Sequence, residues 1–271
     1  MAEWTPMTGT ACLTAQDLED LQRAKRLLES ERLAVRLAHL LGEPIEKGLE
    51  LLPEAAAAAI HQASRAALDR ALRVAVGTMR GGEGAPSDGW HKLAGAASGA
   101  VGGAFGLAGL ALELPVTTVI MLRSIADVAR SEGHDIRLPE VQMACIEVFA
   151  LGGPSRRQTT AETGYYAVRA TLAQALSDAA RHVAEKGLGR EGAPALVRLV
   201  EALAARFGVV VEEKVALGAV PMVGALSGLL INTLFMEHFQ SKARGHFTAR
   251  RLEARYGPDA VRQAYERLSL C

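Results

Sequence analysis

Residues 93–112 read LAGAASGAVGGAFGLAGLAL and residues 215–236 read VALGAVPMVGALSGLLINTLFM, with no charged side chain in either. A helix rises about 1.5 Å per residue, so each stretch is long enough to match a hydrocarbon core of roughly 30 Å. Composition argues against that use. The first stretch is mostly Gly and Ala, and its large apolar residues are only Leu93, Val101, Phe105, Leu107, Leu110 and Leu112, too few for strong transfer into lipid. Pro221 divides the second and leaves a shorter run containing Asn232. Overlapping G-x-x-x-G pairs (Gly95, Gly99 and Gly103, with Gly102 and Gly106) let backbones approach closely. A helix apolar on all sides belongs at the centre of a bundle. The expectation is an all-α protein, a single multi-helix bundle with two central Gly/Ala-rich apolar helices.

Outward from these stretches the chain reads as helices separated by Gly/Pro punctuation. Thr14 and Asp17 mark a helix start, and leucines from Leu18 to Leu41 recur near helical period until Gly42. Pro53 opens an Ala-rich helix reaching Met79, and GGEGAPSDG at 81–89 is a connection without pattern. Pro115 is expected to begin a helix that ends at Gly133 in a left-handed cap, and Pro139 one that ends at Leu151. Further helices are expected over 161–186 and 194–207. Val209–Val211 resemble a strand but have no partner strand. Amphipathic sequence follows 236, and Pro258 opens a last short helix. Residues 1–271 are read as one domain, with helices of 1–80 packed on the rest.

The 30 Lys and Arg balance the 30 Asp and Glu, so no overall field favours nucleic acid. Cys12, Cys145 and Cys271 are far apart and lack zinc spacing, as expected of reduced thiols in a cytoplasm. The N-terminus has acidic residues where a secretory signal would be basic and then apolar. H-E-x-x-H, G-x-S-x-G and P-loop motifs are absent from the sequence, and G-x-G-x-x-G at Gly187, Gly189 and Gly192 follows a helix instead of a strand. No cofactor or metal is expected. His182 and Glu185 share a helical face but lack a second ligand pair.

Glu113 borders an apolar stretch, where a carboxylate needs a partner; with Pro115 starting a helix it would serve as that helix's cap. Arg123 and Asp127, four apart, can pair on one face, and the Arg123 fork could instead hold an anionic headgroup. Lys214 and Asn232 border the second stretch. Convergence of Glu113, Arg123, Lys214 and Asn232 would make a polar cleft between helices for a lipid or apolar ligand. Lys242, Arg244, Arg250, Arg251 and Arg255, interleaved with aromatics, are candidates for a membrane surface; the other reading is a solvated face with local ion pairs.

Glu113-Leu114-Pro115, Arg123-Ser124-Ile125-Ala126-Asp127 and Gly133-His134-Asp135, followed by Lys214, Pro221, Gly224, Gly228 and Asn232, then Phe247–Leu252 and Tyr256-Gly257, resemble the motifs of the bacterial EcsC family over residues 90–268. The resemblance implies a cytoplasmic protein or one peripheral at the inner membrane, with an ABC exporter as a partner by context, and it assigns no catalytic residues. The expected function is therefore non-enzymatic, binding lipid or an apolar ligand in support of transport or envelope processes. The alternatives are a hydrolase or transferase acting on a lipid-like substrate in the same cleft, and a helical scaffold.

Overall fold

The computed structural model describes residues 13–30, 33, 52, 55–79, 106–153, 164–187, 193–218 and 227–268. Among them it has eight helices and no strand, packed into a single helical bundle: α1 (Ala15–Leu28), α2 (Ala56–Met79), α3 (Gly106–Ser131), α4 (Pro139–Leu151), α5 (Tyr165–Lys186), α6 (Pro194–Gly218), α7 (Ser227–Tyr256) and α8 (Pro258–Arg267). No described helix is long and apolar enough to cross a membrane.

Apolar burial explains the arrangement. Every residue from Val141 to Ala150 on α4 is buried, as expected of a helix enclosed on all sides. Around it pack α5, α6, α2, α3 and α7. Phe149 of α4 meets Phe207 of α6 and Phe239 of α7 at ring-centroid distances of 5.2 and 5.5 Å, and Phe235 extends the cluster from α7. Such tilted and edge-on ring pairs add to the gain from apolar burial. Of the first Gly/Ala-rich stretch, residues 93–105 lie outside the described residues; further along, Leu110 is buried and Leu112 is 79% exposed. In the second stretch Ile231, Leu234 and Phe235 are core residues.

Three helix boundaries differ from expectation. Pro115 lies inside α3 instead of starting it. A proline there removes one backbone bond to residue 111 and costs about 3 kcal/mol in an isolated helix. Ala111 is exposed, so water reaches its carbonyl, while Leu114, Met121, Leu122 and Ile125 on both sides of the proline are fully buried and hold the helix together. Second, α6 continues through Gly208 and Val209–Val211 to Gly218, because Leu203, Phe207, Val210, Val211 and Lys214 are buried at helical spacing. Third, α1 stops at Leu28 instead of near Gly42. Buried Lys242 donates to the carbonyls of Leu27, Leu28 and Ser30 at 3.2, 2.7 and 3.4 Å, a cation on the negative end of the helix dipole.

Two expected signals are realised. Thr14 caps α1, its hydroxyl accepting from the Asp17 amide at 3.1 Å. Gly133, at φ 83°, takes the left-handed conformation after α3; its amide donates to Arg130 O and that of His134 to Ala129 O, which completes a Schellman cap.

Candidate functional site

Two of the four polar residues expected to converge are bonded to each other. Lys214 on α6 is buried and donates to Glu113 on α3 at 2.9 Å, with its ammonium 5.0 Å from the centre of the Phe235 ring. Glu113 is thus the partner of a buried cation within α3 and not the cap of a helix begun by Pro115. Asn232 is half-buried one turn before Phe235 on α7. Arg123 does not join this group: ten residues along α3 from Glu113, it lies about 15 Å further down the axis. Asp127 accepts from Arg130 at 2.8 Å, so the described partner of that carboxylate is not Arg123.

The five basic residues of α7 do not form one free stripe. At roughly 100° per residue, Arg244, Arg251 and Arg255 share one side, whereas Lys242 and Arg250 point elsewhere. Lys242 is buried at the end of α1, which removes it from any surface. Arg251 donates to Asp20 at 2.9 Å and to Glu132 at 3.0 Å, and Arg255 donates to Asp17 at 3.1 Å. Arg244 is exposed. The two paired arginines fasten α7 to α1 and, through Glu132, to the end of α3.

Arg250 belongs to a different place, a cleft of about 360 Å³ between α4, α5, α7 and α8, lined among others by Glu147, Tyr166, Arg169, Arg250, Glu253 and Arg262. Small-molecule sites begin near this volume. Arg169 of α5 meets Glu253 of α7 through two parallel bonds of 2.5 and 3.0 Å, a bidentate pairing. Tyr166 also donates to Glu253, at 3.0 Å. Apolar wall is supplied by Ala170, Ala173 and Leu176.

Glu147 lines the same cleft from the centre of α4. It is 2% exposed, and its oxygens lie 4.0 Å from Arg169 Nε and 3.5 Å from His246 Nε2, without a hydrogen bond among the described residues. Burial pushes its carboxyl up to about 6, against the opposing pull of Arg169 and Arg250. The network fixes the tautomer of His246. Arg169 can only donate, so the Tyr165 hydroxyl accepts from it at 3.2 Å and in turn donates a hydrogen bond to His246 Nδ1, 3.0 Å away. The neutral ring therefore carries its proton on Nε2, facing Glu147. Burial, with Arg169 and Arg250 nearby, holds this histidine well below its ordinary range, and burial raises the Tyr165 phenol. Cys145, one turn-half away on α4, is pushed up to about 12 by burial, so it is no thiolate nucleophile.

Arg250 is the guanidinium left over. Arg169 is committed to Glu253, and Arg262 donates to Glu266 at 2.8 Å; Arg250 makes no hydrogen bond or ion pair among the described residues, although it lowers the pKa of Glu147. A partly exposed arginine in a cleft that also has apolar lining is suited to an oxyanion. Among the described residues no group of His, Cys, Asp and Glu could hold a metal ion.

Sequence reasoning named Arg250 but with a different role, and missed Glu147, Tyr165, Tyr166, Arg169, His246 and Glu253. One signal was available. Glu147 is the only charged residue in VQMACIEVFAL, residues 141–151, and a carboxylate in the middle of an otherwise uncharged helix is costly unless the fold makes use of it. Its partners are 18 to 106 positions away, beyond the reach of spacing arguments.

No curated protein and no solved structure matches the chain. The model of the EcsC protein family matches residues 15–252, which takes in α1, well before the region where its motifs are recognisable by eye. The match takes in the Glu113–Lys214 pair, Arg251 of the seam, and Glu147, Arg169 and Arg250 of the cleft, while Glu253, Arg255 and α8 lie beyond it; the chain belongs to the EcsC protein family.

Proposed function

We propose that this EcsC-family chain is a binding protein for an amphiphilic organic anion, held in the cleft between α4, α5, α7 and α8. One observation carries the reading: Arg250, without hydrogen bond or ion pair among the described residues, lines a cleft that is also lined by Ala170, Ala173 and Leu176. The oxyanion sits on Arg250 and the aliphatic part on the alanine wall, so charge selects the ligand and apolar burial adds affinity. This is the lipid-like ligand suggested by the sequence, with its site moved from the Glu113–Lys214 region. A peripheral position at the inner membrane, in support of an ABC exporter, is where the family resemblance would put such a protein.

Calorimetric titration with octanesulfonate, octanol and octylamine tests the reading. Octanesulfonate binds, octanol binds more weakly and octylamine does not. Arg250→Gln weakens octanesulfonate by about 10- to 100-fold, the loss of a charge-assisted contact, and leaves octanol unchanged. Equal binding of all three, or indifference to Arg250→Gln, would sink the reading.

A further inference from the structure

The charges of the cleft leave an unmatched pair. Arg169 answers Glu253 and Arg262 answers Glu266. Asp259, exposed on the rim, lies in the field of Arg262, and what remains inside is Arg250 and Glu147, which compensate each other through space without a hydrogen bond. An oxyanion seated on Arg250 takes that compensation away. It also places a second negative group beside Glu147, in a pocket walled partly by alanine and leucine. Two like charges so placed do not both persist; one of them takes a proton.

We propose that the cleft binds its oxyanion together with one proton, that the proton is taken up by the Glu147 carboxyl, and that protonated Glu147 then donates a hydrogen bond to the bound anion. The inference rests on the anion-binding reading above and adds a ligand-contacting role for Glu147.

The neighbouring groups leave Glu147 as the acceptor of that proton. From α5 it is faced by Arg169 and Tyr165, from α7 by His246, Arg250 and Glu253, and the rim on α8 adds Asp259 and Arg262; His134, in the turn after α3, acts on His246. Arginines and a tyrosine already carry their protons. His246 accepts from Tyr165 at Nδ1 and is held neutral by burial and by Arg169 and Arg250, so a second proton there is opposed. Glu253 has both oxygens occupied by donors from Arg169 and Tyr166. Asp259 is exposed. Glu147 alone combines burial, the absence of a hydrogen bond and a place on the cleft wall. Burial has already brought it within reach of neutral pH.

The experiment is calorimetry of the full chain with octanesulfonate, whose own acid remains ionised so that any proton taken up is on the protein. Titrations are run at pH 7 in buffers of different ionisation enthalpy. Wild type is expected to take up nearly one proton per ligand, with affinity falling about tenfold per unit as pH rises above about 6. Glu147→Gln is expected to bind without uptake and with a flat profile, because an amide donates without titrating. Binding by wild type without uptake, or uptake that survives in Glu147→Gln, overturns the role of Glu147 while the binding reading stands. Failure of octanesulfonate to bind wild type at any pH removes the binding reading itself, and this inference with it. Should Glu147→Gln fail to fold, infrared difference spectra of wild type at pH 7 decide. A protonated-carboxyl band gained on adding ligand supports the proposal, and its absence overturns it. A repeat with vesicles of phosphatidylglycerol in phosphatidylcholine distinguishes a lipid headgroup from a free anion, uptake in either arm supporting the proposal.

Discussion

The α1–α7 seam and the cleft draw the same kinds of side chain, arginine, tyrosine and carboxylate, onto the same long helix, yet they are organised in opposite ways. In the seam each carboxylate is surrounded by donors. Asp17 accepts from Tyr256 at 2.5 Å, from Thr14 at 2.7 Å and from Arg255 at 3.1 Å, and the bond from Tyr256 is the leading cause of a pKa below the ordinary carboxylate range. In the cleft Glu147 is more deeply enclosed, lacks any hydrogen bond among the described residues, and is shifted upward. A seam of that kind stabilises the fold, whereas an unsatisfied buried carboxyl weakens it and is explained more readily by ligand chemistry. The comparison teaches that partners, and not residue type or burial alone, separate fastening from function along α7.

The largest expected effect falls on the seam. A Cβ at Gly245 would stand 2.7 Å from Leu28 Cγ and 2.8 Å from the Ala24 carbonyl oxygen, so α1 crosses α7 where there is no room for a side chain. Gly245→Val should lower unfolding stability by about 3 kcal/mol through overpacking, read by urea denaturation. A loss under about 1 kcal/mol would show that α1 can shift away freely, and the seam would not be the fastening described.

A smaller effect of opposite sign is expected in the cleft. Glu147 has a folded-state pKa raised from 4.5 to about 6, so the folded chain binds more protons than the unfolded one between those values. Stability therefore falls as pH rises through this window, by about 2 kcal/mol in all, and stays at the lower level above it. Glu147→Gln should remove this loss. The variant is expected to be more stable than wild type by about 1 to 2 kcal/mol at pH 8 and no different near pH 4. A variant less stable than wild type at pH 8 would mean that the carboxylate is well partnered after all.

The difference between the two regions also explains how far the sequence could be read. Helix class and most boundaries follow from local signals: Thr14 as a cap, Gly133 as a left-handed stop, Pro139 and Pro258 as first-turn residues. Where local signals failed, burial overrode them. Pro115 predicts a start, but the buried leucines on both sides of it keep α3 continuous; leucines beyond Leu28 predict a longer α1, but Lys242, 214 positions away, caps it. The Glu113–Lys214 pair was suggested because both residues border apolar sequence, a local property. The cleft escaped because its members are ordinary residues on four amphipathic or apolar helices, and only packing brings Arg169 and Glu253, 84 positions apart, onto the two sides of Glu147.

The smallest expected effect sharpens the contrast through pH. Asp20 is opposed by partial burial, which alone would raise its pKa, but bonds from Arg251 and Arg23 leave it lowered. Its contribution to stability is therefore present above the unfolded value near 4 and is lost as pH falls through the lower folded value, the reverse of Glu147. Because Arg251 is partly exposed and Arg23 mostly so, solvent screening limits the contribution to less than about 1 kcal/mol. Asp20→Asn should lower stability by that amount at pH 7, with the difference closing below about pH 3. In chemical denaturation from pH 3 to pH 8, the two variants should thus part from wild type in opposite directions toward the alkaline end, Glu147→Gln the more stable and Asp20→Asn the less stable, and rejoin it toward the acid end. If Asp20→Asn instead loses its stability difference at the alkaline end, the seam does not hold an ionised carboxylate, and its contrast with the cleft disappears.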